Sequence, residues 1–368
     1  MEKWNTKCRF FNEKYACDTL ISEGYKTCGE CKFFQEYSKK ILIIKLGAIG
    51  DVLRTTSILP ALRKKYGENI LIYWMTAPES IGVLEDNSFI DKILPYNLDN
   101  VLRIQQEKFD ILFALEIDTP TTLLANLVYA DEKFGFFFDN GVTFCFNQGA
   151  EAYLKIAFLT HAKLSNRKTY QELIFQTCEI PYNKEESIFE LTENDKEYAK
   201  KYLSDNEISE NEKIIGINFS SGKRWPSKSW SKEKVKEFIK NIKEHKIILL
   251  GGPEEKEKLQ ELLLELNNED IKVISNNPNN TIKQFAGILE KCDKIITTDS
   301  LALHIAITLK KPTIALFFST PEWEIEDYGK IKKIQSPLIE KYFFSNKYSD
   351  ELANSITTEQ ILEVLGKS

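Results

Sequence analysis

From residue 40 onward the chain alternates between two hydrophobic rhythms. Short continuous apolar runs such as ILII at 41–44 give way to longer stretches in which apolar residues recur every three or four positions. The first rhythm marks strands buried on both faces, the second amphipathic helices. Strands are predicted at 41–46, 70–75, 92–94, 110–115 and 133–137, separated by helices at 52–66, 78–85, 98–106 and 121–129. Further helices follow at 153–159, 169–178 and 193–203, the last with Thr192 as its N-cap. After the charged stretch SDNEISENEK the alternation restarts. Strands at 213–219, 246–250, 271–275, 294–298 and 312–317 are interleaved with helices at 232–244, 254–266, 281–291 and 301–309. A capped amphipathic helix at 357–365 closes the chain. Alternation of this kind builds parallel sheets covered on both faces. The expected fold class is α/β, with two Rossmann-like, doubly wound domains facing across a cleft.

Length supports the same division, since 368 residues exceed one ordinary α/β core. The net charge of −6 argues against a nucleic-acid partner. No apolar run approaches the roughly 20 residues that span a bilayer, and the opening MEKWNTKCRF has no apolar signal core. The expected location is the cytoplasm, at most touching the inner face of the cytoplasmic membrane. Lysines at 232, 234, 236, 240, 243 and 246 give one helix a basic face, either simply solvated or in peripheral contact with anionic lipid.

Residues 1–38 differ from the rest. Cys8, Cys17, Cys28 and Cys31 lie among aromatics, with Gly24 and Gly29 supplying turns. Cys28-Gly29-Glu30-Cys31 is a knuckle whose two thiolates can grip one metal, and the other two cysteines complete a tetrahedral set for a structural zinc. So short a segment cannot build a sufficient core, and a metal would supply folding energy. An iron–sulfur cluster or unligated thiols are the alternatives. A catalytic zinc does not fit, because four cysteines leave no open position. Cys145, Cys178 and Cys292 are expected to be small buried hydrophobes.

Three stretches carry candidate chemistry. At residues 41–57 an apolar run meets a short glycine loop (Gly47, Gly50), and Asp51 stands at the mouth of a helix. That places a carboxylate at the carboxyl edge of a parallel sheet, where open α/β sheets bind ligands; the plainer role is a helix cap. Asn218-Phe219-Ser220-Ser221-Gly222 closes a strand, and Lys223, Arg224 and Lys228 follow close by, with Trp225 and Trp230 as anchors. Hydroxyls and cations there suit a phosphate, against the alternative of a solvated basic loop. Asp299 and Ser300 end a strand and open a helix, with His304 about one turn on. No strand is followed by GxGxxG and no GxxxxGK[ST] occurs, which removes the main support for dinucleotide or P-loop chemistry.

Taken in order, KILIIKLGAIGDVLRTTSILPALRKKY, the SSGKRWPSKSW loop, LLGGPEE and TTDSLALHIAITLKKPTIALF resemble glycosyltransferase family 9, whose best-known members are the ADP-heptose:lipopolysaccharide heptosyltransferases. The resemblance runs from Lys40 to the C-terminus. It implies the GT-B architecture and inverting sugar transfer from a nucleotide donor without a catalytic metal. It further implies that Asp51 is the general base and that Lys228 neutralises the departing diphosphate. Ser220 and Ser221 would lie beside that diphosphate, and Gly252 to Glu255, Glu254 included, would flank the nucleotide. Asp299, Ser300 and His304 match the motif lining the donor phosphate and sugar. Two stretches depart from the family pattern: Leu301 replaces a glycine, and Phe317-Phe318-Ser319-Thr320 replaces Phe-Gly-Pro-Thr.

The expected domains are a zinc-binding leader at 1–38, an acceptor domain at 39–205, a nucleotide-sugar domain at 206–335, and a tail at 336–368 packing back on the first domain. The expected function is transfer of a heptose-like sugar from an ADP-sugar to a hydroxyl of a cell-surface glycan or lipid-linked acceptor. The alternatives are a catalytically weak nucleotide-sugar-binding module with a zinc-stapled, partner-docking leader, and another GT-B enzyme such as a 2-epimerase.

Overall fold

The computed structural model describes residues 4–11, 17–209 and 211–366. Two six-stranded sheets organise it. In the first, β1 (Lys39–Ile44), β2 (Ile70–Thr76), β3 (Lys92–Pro95), β4 (Lys108–Ala114), β5 (Tyr129–Asp139) and β6 (Val142–Cys145) lie in the order β3-β2-β1-β4-β5-β6. All pairings are parallel except β5 with β6, which form an antiparallel hairpin. The second sheet takes β7 (Ile214–Asn218), β8 (Lys246–Leu249), β9 (Ile274–Ser275), β10 (Lys294–Thr298), β11 (Thr313–Phe317) and β12 (Ile331–Gln335) in the order β12-β11-β10-β7-β8-β9, parallel throughout. Both follow the doubly wound order 3-2-1-4-5-6. The fully buried runs Ile41–Ile44 and Ile295–Thr298 are the continuous apolar strands expected at the centre of covered parallel sheets.

The helical expectation at 52–66 is corrected to two helices, Ile49–Thr55 and Ile58–Tyr66. The stretch at 78–85 is a 3₁₀ turn, Pro78–Val83. β6, β12 and the short helix Asp350–Ala353 had no counterpart in the sequence reading.

The chain divides into two compact units at places other than those expected. The first holds residues up to Ala48, Thr55–Asn166 and Gln171–Glu185; the second holds Ile49–Arg54, Arg167–Tyr170 and everything from Glu186. The helix Glu193–Asp205, closed by a capping box between Thr192 and Asp195, therefore belongs to the second unit. Gly287 explains its seat: a Cβ there would lie 2.8 Å from the Asp195 carbonyl oxygen, so a bare glycine lets the helix Ile282–Lys291 press against it. The tail also joins the second unit, not the first as expected. Leu352, Ile356 and Ile361 are buried in the same apolar cluster as Ile217, Phe238 and Leu316.

The basic helix is not a free cationic face. Lys232 pairs with Glu265 at 2.6 Å, and Lys236 and Lys240 both reach Glu269 at 2.7 Å. That ladder partners three of the six lysines with glutamates. Among the described residues no helix is long and apolar enough to cross a membrane.

Candidate active site

The carboxyl ends of β7, β10 and β11, neighbours in the second sheet, hold most of the candidate residues. Asp299 follows β10 directly. Its Oδ2 takes the Lys228 ammonium at 2.6 Å and a hydrogen bond from the Thr320 hydroxyl at 2.7 Å. Burial alone would raise this carboxyl, but the Lys228 charge and the two hydrogen bonds outweigh it and hold it far below the usual carboxylate range. Lys228 comes from the loop after β7 and Thr320 from the turn after β11, so three strand ends meet on one carboxylate.

His304 lies in the helix Leu301–Thr308, with Nε2 3.9 Å from Asp299 Oδ1. Burial first, and then the Arg54 charge, push its pKa down to about 3, so the ring is neutral at physiological pH. Its Nδ1 is buried without a hydrogen-bond partner in the protein. Ser300 does not reach outward: its hydroxyl donates to Asn218 Oδ1 at 2.8 Å, and Thr297 donates to the same oxygen at 3.2 Å. Asn218 in turn donates to the Leu250 carbonyl, tying β7, β8 and β10 together at the edge.

Residues 49–54 bring Asp51 to the same unit. Asp51 Oδ1 is 2.5 Å from the Arg54 guanidinium, and the Asp51 side chain is 31% exposed, so a substrate can reach it. The guanidinium stacks on Tyr170, 4.0 Å from the ring centroid, and the Tyr170 hydroxyl donates to the Asp51 carbonyl. Arg54 is buried, and its Asp51 partner outweighs that burial to raise its pKa. The arrangement fixes the carboxylate's direction through a charged, stacked partner. Gly50 completes the seat. A Cβ on it would come 2.5 Å from His304 Cδ2, so only glycine lets the Asp51 turn rest on the histidine. Gly50→Ala is expected to lose about 1–3 kcal/mol of stability by overpacking. His304→Ala should relieve that clash, making the double variant less destabilised than the two single losses summed in urea unfolding. Strict additivity would refute the contact.

The remaining predicted residues are dispersed around this centre. Ser220 is buried and accepts from Lys258 at 3.2 Å, while Ser221 donates to the Trp225 carbonyl at 2.9 Å. Glu254 accepts from the Lys223 backbone N–H at 2.7 Å, bracing the loop. The Gly252 N–H is taken by Glu255.

Sequence reasoning missed Arg54, Tyr170, Thr320 and Lys258. Arg54 was findable, since it stands three residues after Asp51 on a helix; the others meet the site only through tertiary contact. A further pair was also missed in the first unit, where Lys45, 1% exposed, lies 3.3 Å from Glu116, which also accepts from the Gly47 N–H. The four leader cysteines are not gathered at binding distance: among the described residues no group of three or more Cys, His, Asp or Glu side chains is set to hold a metal ion.

Comparison with known proteins gives consistent matches. Residues 145–350 match the model of glycosyltransferase family 9 (heptosyltransferase). The lipopolysaccharide heptosyltransferase 1 of Campylobacter coli is 23% identical over 320 residues, covering 80% of this chain and 88% of its own. A family 9 glycosyl transferase from Veillonella parvula shares the fold with a TM-score of 0.71 at 19% identity, over 91% of this chain and 98% of that one. The ADP-heptose lipopolysaccharide heptosyltransferase II of E. coli superposes with a TM-score of 0.66 at 17% identity, over 89% and 98% of the two chains.

Proposed function

Because this chain belongs to glycosyltransferase family 9, we propose that it transfers a heptose-like sugar from an ADP-linked donor to a hydroxyl of a lipid-linked or cell-surface glycan, with inversion. The enzyme is a glycosyltransferase, and its fold is of the GT-B class with two Rossmann-like domains. The observation that carries the finer reading is the convergence of Asp51, His304, Asp299 and Lys228 in one unit.

In this reading the acceptor hydroxyl attacks the anomeric carbon while the bond from that carbon to the diphosphate oxygen breaks. The hydroxyl proton passes to Asp51, and the bonding pair leaves with the nucleoside diphosphate. Lys228 offsets the negative charge growing on that leaving group. Asp299 holds Lys228 in place between turnovers, and Thr320 holds Asp299. Ser220 and Lys258 offer a hydroxyl and a second cation beside the same strand end. Leu301 in place of the family glycine opens the helix Leu301–Thr308, whose N-cap residue Ser300 makes no side-chain capping hydrogen bond. Names of the relatives support the ADP-heptose donor and the lipopolysaccharide acceptor. Exposed Phe158, Leu159 and Leu164 on the expected acceptor domain, on two helices that bury no residue, support an acceptor with a lipid portion.

The test is thermal unfolding with ADP, UDP, GDP and CMP, each with and without EDTA, followed by transfer of labelled sugar to lipid-linked and free acceptors. A ligand at 100 times its Kd adds about 2.7 kcal/mol of stability. A selective shift with ADP that survives EDTA, and label moving into the lipid-linked acceptor, are expected. A shift with none of the four would favour the weak binding-module reading.

A further inference from the structure

We propose that Cys8, Cys17, Cys28 and Cys31 bind one divalent transition-metal ion, zinc or iron, as a closed tetrathiolate site that fastens the leader to the first sheet. This inference is independent of the donor and acceptor.

Three observations carry it. The first is a shared cavity, whose wall holds the four thiols short of bonding distance. Cysteines spread over a stretch of 24 residues (8 to 31) line a single cavity of about 20 Å³, together with Phe33 and Phe34. A space of that size takes one water-sized occupant. None of the four is in a disulfide. Among the described residues the lining offers four soft sulfur ligands and no carboxylate or histidine, the donor set of tetrahedral zinc or iron.

The second is what the leader lacks. None of its described residues from 4 to 38 is buried, and Trp4 and Ile21 are 65% and 66% exposed. A segment with a single short helix, Asp18–Ser22, and no buried side chain among those residues cannot be ordered by apolar burial. Metal–sulfur bonds are the kind of staple that replaces a core.

The third is the clasp on either side of the cysteines. Cys8 pairs with Glu36 in an antiparallel bridge, and the Arg9 N–H donates to the Gln35 carbonyl, so the two ends of the leader are held side by side. The Arg9 guanidinium then reaches into the first unit, donating to the Ile70 carbonyl at 2.6 Å and pairing with Asp91 at 3.0 Å. Asp91 also pairs with Arg63 and accepts from the Ile72 N–H. A metal holding Cys8 would hold Arg9 on that network. Binding would draw the thiols inward from the cavity wall, each losing its proton to solvent as its thiolate meets the ion.

The experiment uses the full chain purified under reducing conditions without added metal. Elemental analysis should find one zinc or iron per chain, the two being distinguished directly. Alkylation followed by peptide mapping should leave Cys8, Cys17, Cys28 and Cys31 unmodified until an organomercurial displaces the ion. Cys28→Ser/Cys31→Ser should lose the metal, and Cys145→Ser should keep it. The unsubstituted chain decides the matter even if the double variant fails to fold. No metal with all four thiols freely alkylated overturns the proposal. So does a mass showing the hydrogens lost to two disulfides in the leader.

Discussion

Asp51→Asn is expected to lower kcat by about 10²–10⁴-fold, the range for removing a positioned general base, while nucleotide binding persists. Asparagine keeps the side chain's shape and can still accept from Arg54, but it cannot take the acceptor proton. Arg54 would then be a buried cation without its counter-charge, so some stability should be lost as well. Asp51→Glu separates the two effects, because it retains the charge while shifting the carboxylate. If Asp51 is the base, Asp51→Glu recovers stability but little of kcat, and KM for the donor changes little in either variant. Unchanged turnover in Asp51→Asn would leave the carboxylate as the counter-ion of Arg54 only.

Lys228→Met has the other large expected effect. Removing one partner of a buried ion pair costs about 3–5 kcal/mol, because the remaining charge is left uncompensated. Here that charge is Asp299, whose side chain is 10% exposed. The pH dependence gives the proposal a signature. In the unsubstituted protein the native Asp299 carboxyl sits below its unfolded value near 3.9. Its contribution to stability is therefore complete above that value and fades as pH falls through the acid range. Without Lys228, burial dominates and the native carboxyl rises above the unfolded one. The variant should then become relatively more stable as pH falls from 7 toward 5. Urea unfolding at several pH values reads this directly, and parallel curves for the two proteins would contradict it. ADP binding should also weaken, since the cation facing the diphosphate is gone.

Much of this architecture was legible because each central strand is an uninterrupted apolar run. β10 was read at its observed bounds, and β1 and β2 within two residues of theirs. β12 escaped notice because its residues, IKKIQ, bury only Ile331 and Ile334 and form no continuous apolar run. β6 is a four-residue hairpin strand with no fully buried position. The motifs singled out Asp51, Lys228, Asp299 and His304, and the structure sets Lys228 and His304 beside Asp299. Tyr170 was not found, since its stacking on the guanidinium is a product of packing, whereas Arg54 was within reach of the local pattern, three residues after Asp51. The unit boundary was misjudged because the polar SDNEISENEK run looked like a linker. In the structure the helix before it is bound to the second unit through Gly287. Lysine content likewise suggested a basic face that the glutamates of a neighbouring helix neutralise.

The Gly50–His304 seat has a consequence for how the protein is made. Gly50 and Asp51 follow the first strand of the chain, whereas the residues that cradle them, Tyr170 and His304, are synthesised much later. A turn that needs a partner so distant in sequence closes a very long loop, and contacts of that separation form slowly. The first sheet can pair β1, β2 and β4 from nearby segments before Gly50 meets His304. The contact is thus expected to form only after the helix Leu301–Thr308 has emerged. A chain cut short before His304 would contain every strand of the first sheet and lack the ring on which Gly50 rests.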